Sequence, residues 1–161
     1  MTTNLVDTNI LIYSFDRRYP VKQRIARDLL DEGARDGSLV LAHQTIVEFV
    51  AAASRPRADF GGQPILMPEQ ARFEAENFMM EFQIVYPDEA VLRTALQSVS
   101  AYGFSWFDAH LWAYAEVHGL SEIFSEDFEH GRYYGSVRVC DPFLVAADAV
   151  HELPAMFAAT L

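Results

Sequence analysis

The 161-residue chain has an ordinary globular composition, with 51% hydrophobic and 22% charged residues, and a formal net charge of −11. Its length suits one domain spanning residues 1–161, which buries enough surface to fold without a disulfide or a structural metal. The sequence contains no apolar run of the ~18 residues that span a bilayer and no signal-peptide pattern at its start. The single cysteine, Cys140, excludes an internal disulfide and a cysteine-rich zinc site. We therefore expect a cytoplasmic protein without a membrane partner.

The negative charge argues against a general nucleic-acid-binding surface, because nonspecific affinity for phosphates comes mostly from Lys and Arg. A nuclease is still compatible with this charge, since carboxylates that hold a metal make a site negative until the metal binds. Lys22 is the only lysine among the twelve Lys and Arg residues. Arginine suits phosphate recognition, although a compositional bias of the source genome explains the same pattern more simply.

The first half of the chain alternates short apolar segments with amphipathic ones, a pattern that predicts strands alternating with helices. In chain order we predict a strand at Leu5–Val6, helices at Asn9–Phe15 and Val21–Asp36, a strand at Leu39–Ala42, a helix at Gln44–Ser54, a loop at Arg55–Met67 and a helix at Pro68–Phe82.

The second half continues the alternation. We predict a strand at Ile84–Tyr86, helices at Asp88–Tyr102 and Trp106–His118, and strands at Glu122–Phe124 and Val137–Val139. An apolar C-terminal extension begins at about residue 143, and we expect it to pack on the core or on a partner because it is too apolar to leave in water. The whole pattern predicts an α/β protein with a mostly parallel central sheet covered on both faces.

Four acidic residues lie near the carboxyl ends of predicted strands or near the start of a predicted helix: Asp7, Glu48, Asp108 and Asp127. In an open α/β sheet, ligands bind at the edge where the carboxyl ends of the strands meet. Magnesium takes oxygen ligands, usually one or two carboxylates together with waters and substrate phosphates. The four acids together therefore indicate a site for a divalent cation.

Each acid also has a purely structural interpretation. Asp7 is a candidate helix N-cap, and the last of the four acids suits a turn. The two middle acids follow a hydroxyl residue, Thr45 or Ser105, at the three-residue spacing of a capping box. For any single acid the structural interpretation is favoured, whereas four acids near one edge favour a common site.

Four ordered segments resemble the acidic motifs of the PIN domain family. They are Leu5-Val6-Asp7-Thr8-Asn9-Ile10-Leu11, Gln44-Thr45-Ile46-Val47-Glu48-Phe49, Ser105-Trp106-Phe107-Asp108-Ala109 and Ser125-Glu126-Asp127-Phe128. Their order and spacing match the family from about Asn4 to Pro142. Within the family, the chain resembles the VapC-type toxin ribonucleases of bacterial toxin–antitoxin systems.

This resemblance implies a three-layer α/β/α sandwich and the hydrolysis of RNA phosphodiester bonds with Mg²⁺ or Mn²⁺. The catalytic residues that it implies are Asp7, Glu48, Asp108 and Asp127, with the metal held by Asp7, Asp108 and Asp127 and with Asn9 and Ser125 as supporting polar groups. Asp127 rather than Glu126 is the acid that matches the family pattern. Either Asp7 or Asp108 would orient or deprotonate the attacking water. The implied partners are the RNA substrate, a cognate antitoxin and a second copy of the chain in a homodimer.

The densest basic region follows the first motif. Arg17, Arg18 and Lys22 are candidate RNA contacts there, as are Arg55 and Arg57 in the loop after the second motif. A solvated helix surface is the simpler interpretation of such charges.

Two other functions stay open at this point. A phosphatase of the haloacid dehalogenase type also begins with an Asp after its first strand, but it needs a second Asp two residues later, where this chain has Asn9. A non-catalytic binding module on a PIN-like fold is the other alternative, and the presence of all four acids argues against it.

Overall fold

The central sheet contains six strands in the part of the chain that the computed structural model describes, which is residues 2–146. These strands are β1 (Asn4–Val6), β2 (Leu39–Ala42), β3 (Gln83–Val85), β4 (Glu122–Phe124), β5 (Tyr133–Tyr134) and β6 (Val137–Cys140). Their order across the sheet is β3-β2-β1-β4-β6-β5, and every neighbouring pair is parallel except β5 with β6.

The helices are α1 (Thr8–Tyr13), α2 (Pro20–Asp36), α3 (His43–Ser54), α4 (Pro68–Glu81), α5 (Glu89–Tyr102) and α6 (Trp106–Val117). A 3-10 turn spans Ala58–Phe60, and residues 142–146 are helical. Proline at the first position of α2 and of α4 suits a helix start, because its missing N–H would have no partner there. Within residues 2–146, no helix is long and apolar enough to cross a membrane.

The two faces of the sheet are covered by different helices because successive strand residues point to opposite sides. Leu5 packs in a core with residues of α5 and α6, whereas Val6 packs in a second core with residues of α1 to α4. Both side chains have no exposed surface. The predicted three-layer α/β/α sandwich with a mostly parallel sheet is therefore confirmed.

The direction of chain crossover reverses between β1 and β4. Strands β2 and β3 lie on one side of β1, and β4, β6 and β5 lie on the other. In an open α/β sheet such a switch point leaves a crevice beyond the carboxyl ends of the two strands. Asp7 follows β1 and Ser125 follows β4, so both residues stand at this crevice.

The structure differs from the sequence-based prediction mainly on the second half of the chain. The strand β5 was not predicted; it forms an antiparallel hairpin with β6 through Gly135, whose positive φ of 60° suits a tight two-residue turn. The extension predicted from about residue 143 packs on the core at Phe143, which is 9% exposed. The rest of the predicted extension, beyond residue 146, lies outside the described residues.

Candidate active site

Asp7 lies directly after β1 and is fixed to its surroundings by its backbone and its side chain. Its N–H donates to the Phe124 carbonyl at 3.0 Å, which continues the pairing of β1 with β4. Its Oδ1 accepts from the Thr8 backbone N–H at 2.6 Å, so Asp7 is the N-cap of α1 as the structural interpretation predicted. Asp7 is only 6% exposed and lies at the edge of the sheet where β1 ends.

A hydrogen-bond network joins Asp7 to Asp127 across the switch point. The fully buried Ser125 hydroxyl donates to Asp7 Oδ2 at 2.6 Å and accepts from the Asp127 backbone N–H at 3.0 Å. The Asn9 amide donates to Asp127 Oδ2 at 3.0 Å and to Asp7 Oδ2 at 3.3 Å. Asp7 and Asp127 thus meet through Ser125 and Asn9, each of which bonds to an acid 118 positions away in the chain. The resemblance had assigned both polar side chains as supporting groups.

Asp108 lies in the first turn of α6. Ser105 is the N-cap of this helix, with its hydroxyl accepting from the Asp108 N–H at 3.3 Å and donating to Asp108 Oδ2 at 2.7 Å. The predicted capping geometry is therefore present. The Asp108 charge also reaches the other acids, since it raises the pKa values of both Asp7 and Asp127.

Glu48 is held by Thr8, the residue that follows Asp7, and by Gln44 on its own helix. Thr8 Oγ1 donates to Glu48 Oε2 at 3.0 Å, and Gln44 Nε2 donates to Glu48 Oε1 at 2.8 Å. Gln44 Oε1 in turn lies 2.8 Å from His110 Nδ1 on α6. This chain of contacts fixes the orientation of the Glu48 carboxylate.

The capping-box interpretation of Glu48 is wrong. Thr45 lies inside α3 rather than at its N-cap, which is Ala42 and has no side-chain cap. The Thr45 hydroxyl instead donates to the Val6 carbonyl at 3.3 Å and ties α3 to β1. The helix begins at His43, one residue earlier than predicted, so Thr45 and Glu48 both lie within it.

The electrostatics of the cluster are those of a buried acid, Asp7, close to the more exposed acids Asp108 and Asp127. Burial raises the pKa of the Asp7 carboxyl to about 7; the charges of Asp127 and Asp108 add to this rise, and the hydrogen bonds from Ser125 and Thr8 oppose it. Burial likewise raises the pKa of Asp127, together with the charges of Asp108, Glu126 and Asp141, and against the hydrogen bond from Asn9.

The acids of the cluster have no cationic partner among residues 2–146. Among the ion pairs of residues 2–146, none involves Asp7, Glu48, Asp108 or Asp127. The Asn9 Oδ1 atom is also buried without a hydrogen-bond donor in this part of the chain. A cluster of carboxylates without a counter-ion fits a cation supplied from solution.

The side chains of residues 2–146 do not by themselves form a complete metal cage. No group of three or more His, Cys, Asp or Glu side chains in the described residues is close enough to form such a cage. Magnesium commonly uses one or two carboxylates and keeps several waters. The donor set is also purely oxygen, as Mg²⁺ and Mn²⁺ prefer.

The predicted RNA contacts fall into two groups. Arg18 is committed to the protein, because its guanidinium pairs with Asp16 at 2.7 Å and with Asp59 at 2.6 Å. Lys22 is likewise paired with Glu126 at 2.6 Å. Arg17 and Arg55 are exposed, and neither forms an ion pair within residues 2–146.

Glu126 faces a different neighbourhood from Asp127. Its carboxylate accepts from the Tyr13 hydroxyl and from Lys22 Nζ, each at 2.6 Å. These two contacts link the segment after β4 to α1 and α2. Glu126 therefore pairs with a cation, Lys22, whereas Asp127 forms no ion pair within residues 2–146.

Three residues that hold the cluster were not predicted: Thr8, Gln44 and His110. Thr8 and Gln44 lie within the recognised motifs, but the motifs assign them no role at the site. His110 follows Asp108 by two residues, a spacing that predicts a different side of α6. It does lie on another side of α6, where burial lowers its pKa and it contacts the Gln44 amide rather than a carboxylate.

Comparison with solved structures places the fold among toxin–antitoxin proteins. A chain of the DNA-bound VapBC from Salmonella typhimurium superposes with a TM-score of 0.63 at 15% identity, covering 86% of this chain and 97% of that one. A chain of a toxin–antitoxin complex from Klebsiella pneumoniae gives 0.57 at 19%, covering 84% and 95%. The sarcin–ricin-loop-cleaving toxin VapC20 from Mycobacterium tuberculosis gives 0.52 at 14%, covering 78% and 92%.

Sequence comparison gives the family itself. No curated protein sequence matches the chain significantly. The PIN domain family matches residues 5–135, a span that contains all four predicted acids, β1 except for Asn4, and the whole of β2, β3, β4 and β5, and that ends just before β6. The chain belongs to the PIN domain family.

Proposed function

We propose that this protein is a metal-dependent endoribonuclease that hydrolyses RNA phosphodiester bonds and serves as the toxin of a toxin–antitoxin pair. The observation that carries the proposal is the linked set of Asp7, Ser125, Asn9 and Asp127 at the switch point of the sheet. This set has no cationic partner among the described residues, and the negative charge of Asp108 adds to the rise in the pKa values of its two acids. Family membership supports the nuclease activity.

The proposed metal ligands are Asp7, Asp108 and Asp127, which would have to move closer together to bind one cation, because no three such side chains in residues 2–146 stand in a metal-binding arrangement. Bound Mg²⁺ or Mn²⁺ would polarise the phosphate and lower the pKa of a water for in-line attack. The residues of the chain would hold the carboxylates in place for this chemistry. Ser125 and Asn9 do so by donating to Asp7 and Asp127, and burial of Asp7 keeps its surroundings low in dielectric.

One carboxylate would orient or deprotonate the attacking water. Asp7 and Asp108 are the candidates for this role. Glu48 completes the acidic set, and its contacts with Thr8 and Gln44 leave it oriented beside the carboxylates rather than free to rotate.

The test of activity is cleavage of single-stranded RNA by the purified chain with Mg²⁺ or Mn²⁺. We expect EDTA to abolish cleavage, and Asp108→Asn to remove most of it because a metal ligand is lost. Asp28→Asn is the matched control, since Asp28 is an exposed acid on α2. RNA binding without cleavage under every metal condition would favour the non-catalytic module instead. Membership of the PIN family does not support the phosphatase alternative.

An antitoxin protein is the proposed macromolecular partner. Solved neighbours include a toxin–antitoxin complex and VapBC bound to DNA, and the likeness to them supports the proposal at the level of the fold. An acidic site without counter-ions also suits an antitoxin arginine, which can pair with a carboxylate through two hydrogen bonds. Co-expression of the chain with the product of a neighbouring reading frame should give a stable complex that does not cleave RNA.

A homodimer is also proposed. On α5, Leu92, Leu96 and Val99 are 45%, 56% and 38% exposed and share one face of the helix, since their spacing is close to whole turns. An apolar stripe of this kind is typical of an interface rather than of a surface left in water. An RNA-cleaving toxin of this kind would act in the cytoplasm.

A further inference from the structure

A cleft of about 350 Å³ opens beside the acidic cluster, between α1, the end of α3 and the loop that follows α3. We call it the Arg57 cleft; its lining includes Asn9, Ile12, Tyr19, Ala52 and Arg57. Its volume lies at the lower end of the ~300–1,000 Å³ range of small-molecule pockets. It is therefore large enough for one flat ring system but not for an extended ligand.

The cleft and the acidic cluster share residues. Asn9 lines the cleft, and its amide donates to Asp7 and Asp127. Thr8 also lines the cleft, and its hydroxyl donates to Glu48. A polymer whose phosphate lies at the carboxylates would therefore have a neighbouring unit at the mouth of the cleft.

The lining of the cleft carries two carboxylates and two guanidiniums, and of the two guanidiniums only that of Arg57 has a buried nitrogen without an acceptor in residues 2–146. Arg18 is fully engaged, with Asp16 bound through two of its nitrogens and Asp59 through a third. Arg57 donates one hydrogen bond, from its terminal nitrogen to the Ala52 carbonyl at 3.3 Å. Its Nε is buried and has no acceptor within residues 2–146. A buried donor without an acceptor costs free energy, and a ligand can supply the missing acceptor.

We propose that the Arg57 cleft binds the base of the nucleotide next to the scissile phosphate, with the Arg57 guanidinium donating to an acceptor on that base. The apolar surfaces of Ile12 and Ala52 suit the faces of a base, and Tyr19 is an exposed aromatic ring at the rim. This proposal rests on the proposed function and adds a source of sequence preference to it.

A base fits the cleft better than a phosphate does. The carboxylates of Asp16 and Asp59 stand in the same lining as Arg57; both pair with Arg18, and Asp16 is also attracted by the charge of Arg57, so the two cations of the lining are already neutralised by two acids. A phosphate would add a full negative charge next to two acids, whereas a carbonyl oxygen or a ring nitrogen accepts a hydrogen bond without that repulsion. Arginine contacts of this type discriminate between bases.

The test maps cleavage sites in a pool of single-stranded RNA with randomised sequence, using end sequencing with Mn²⁺ present. Arg57→Lys keeps the charge but removes the Nε donor, and Ala52→Leu narrows the cleft without changing any charge. For each variant we expect the base preference at one position beside the cut to fall by about fivefold or more, which corresponds to ~1 kcal/mol. Arg35→Ala is the control, because Arg35 is an exposed cation near the far end of α2.

Three outcomes would overturn the proposal while the proposed function stands: an unchanged cleavage profile in both cleft variants, an equal change in Arg35→Ala, or a loss of antitoxin binding with the RNA profile intact. Circular dichroism melting of each variant excludes loss of the fold as the cause of a change. If the wild type itself does not cleave the pool, the proposed function fails. The base-binding proposal is then tested by anisotropy of a labelled single-stranded RNA, and equal affinity of Ala52→Leu and wild type for that RNA would overturn it.

Discussion

The buried carboxyl of Asp7 gives the clearest prediction for a single residue. Its pKa of about 7 in the fold lies above the ordinary value of 3.8 for aspartate. Between these values the unfolded chain is ionised and the fold keeps the proton, so stability falls as pH rises from about 4 to about 7 and then stays low. Without metal, ionised Asp7 is therefore a source of instability at alkaline pH.

Asp7→Asn removes this ionisation. Relative to wild type, the variant should gain up to about 3 kcal/mol in free energy of unfolding between pH 5 and pH 8, because two pKa units correspond to ~2.7 kcal/mol. Urea unfolding in EDTA at both pH values measures the gain. Asp28→Asn serves as the exposed control on α2. If the free energies of unfolding of wild type and Asp7→Asn differ by the same amount at pH 5 and at pH 8, burial does not raise the pKa of Asp7.

Ser125 tests the support of the cluster rather than the ligands themselves. Its hydroxyl holds Asp7 Oδ2 and the Asp127 backbone. Loss of such a supporting group typically lowers metal affinity or activity ~10–100-fold, and we expect Ser125→Ala to lower the rate of RNA cleavage within that range. Ser98→Ala is a matched buried-serine control, because the Ser98 hydroxyl donates to the Ala95 carbonyl within α5. Equal rates for the two variants would leave Ser125 as a packing residue only.

At this scale the sequence identifies the acids but not all of their partners. Asp7, Asp108 and Asp127 could be predicted because each occupies a recognisable place at the end of a strand or the start of a helix. Gln44 and His110 could not, since the contact between them joins positions 66 residues apart and depends on how α3 packs against α6. Only the tertiary structure brings such pairs together.

Among the elements, α6 combines a structural role with the proposed site. Ser105 caps the helix and donates its hydroxyl to Asp108, whose negative charge in the first turn is favoured by the positive end of the helix dipole. The same charge raises the pKa values of Asp7 and Asp127, which shows that it repels them. The two effects have opposite signs in the free energy of unfolding.

Asp108→Asn separates these effects. Loss of the helix-dipole interaction costs roughly 0.3–1 kcal/mol, and relief of repulsion should offset it, so in EDTA the variant should melt at or above the wild-type temperature. Asp88→Asn is the comparison, since Asp88 caps α5 by accepting from the Val91 N–H at 2.9 Å and is exposed. That variant should lose stability. An equal loss in both variants, measured by thermal melting, would make Asp108 a cap without repulsion.

The elements also show where sequence patterns are insufficient. The alternation of strands and helices predicted eleven of the regular segments to within a few residues. The hairpin of β5 and β6 was missed because β5 is only two residues long, although the Gly135-Ser136 pair is a turn signal. The start of α3 was placed one residue late because Ala42 supplies no side-chain cap signal.

For the whole molecule, the surface of α5 predicts the oligomeric state. Leu96 is 56% exposed in the centre of the apolar stripe, and Leu96→Glu would place a charge in a dimer interface. We expect this variant to sediment as a monomer where the wild type is a dimer. Gln97→Glu adds the same charge at the adjacent exposed position. Sedimentation velocity gives the answer, and a dimeric Leu96→Glu protein would place the interface elsewhere.

The net charge of −11 gains a partial explanation at this scale. Some of the acids are paired with arginines, as Asp16 and Asp59 are with Arg18, but the acids of the cluster have no such partner in the described residues. The composition predicts the negative net charge but not where the acids lie. The concentration of unpaired acids at one edge of the sheet follows from the parallel topology, which brings the carboxyl ends of β1 and β4 together.

The rate of single-stranded RNA cleavage as a function of Mn²⁺ concentration, compared between wild type and Asp7→Asn, tests the central claim most directly. The account predicts that the wild-type rate saturates with Mn²⁺ and falls to background in EDTA, whereas Asp7→Asn requires at least about tenfold more Mn²⁺ or stays inactive, because a carboxylate ligand is missing. Wild-type cleavage that continues undiminished in EDTA, or the same Mn²⁺ dependence in both proteins, would contradict a metal site built on the acids at this edge of the sheet.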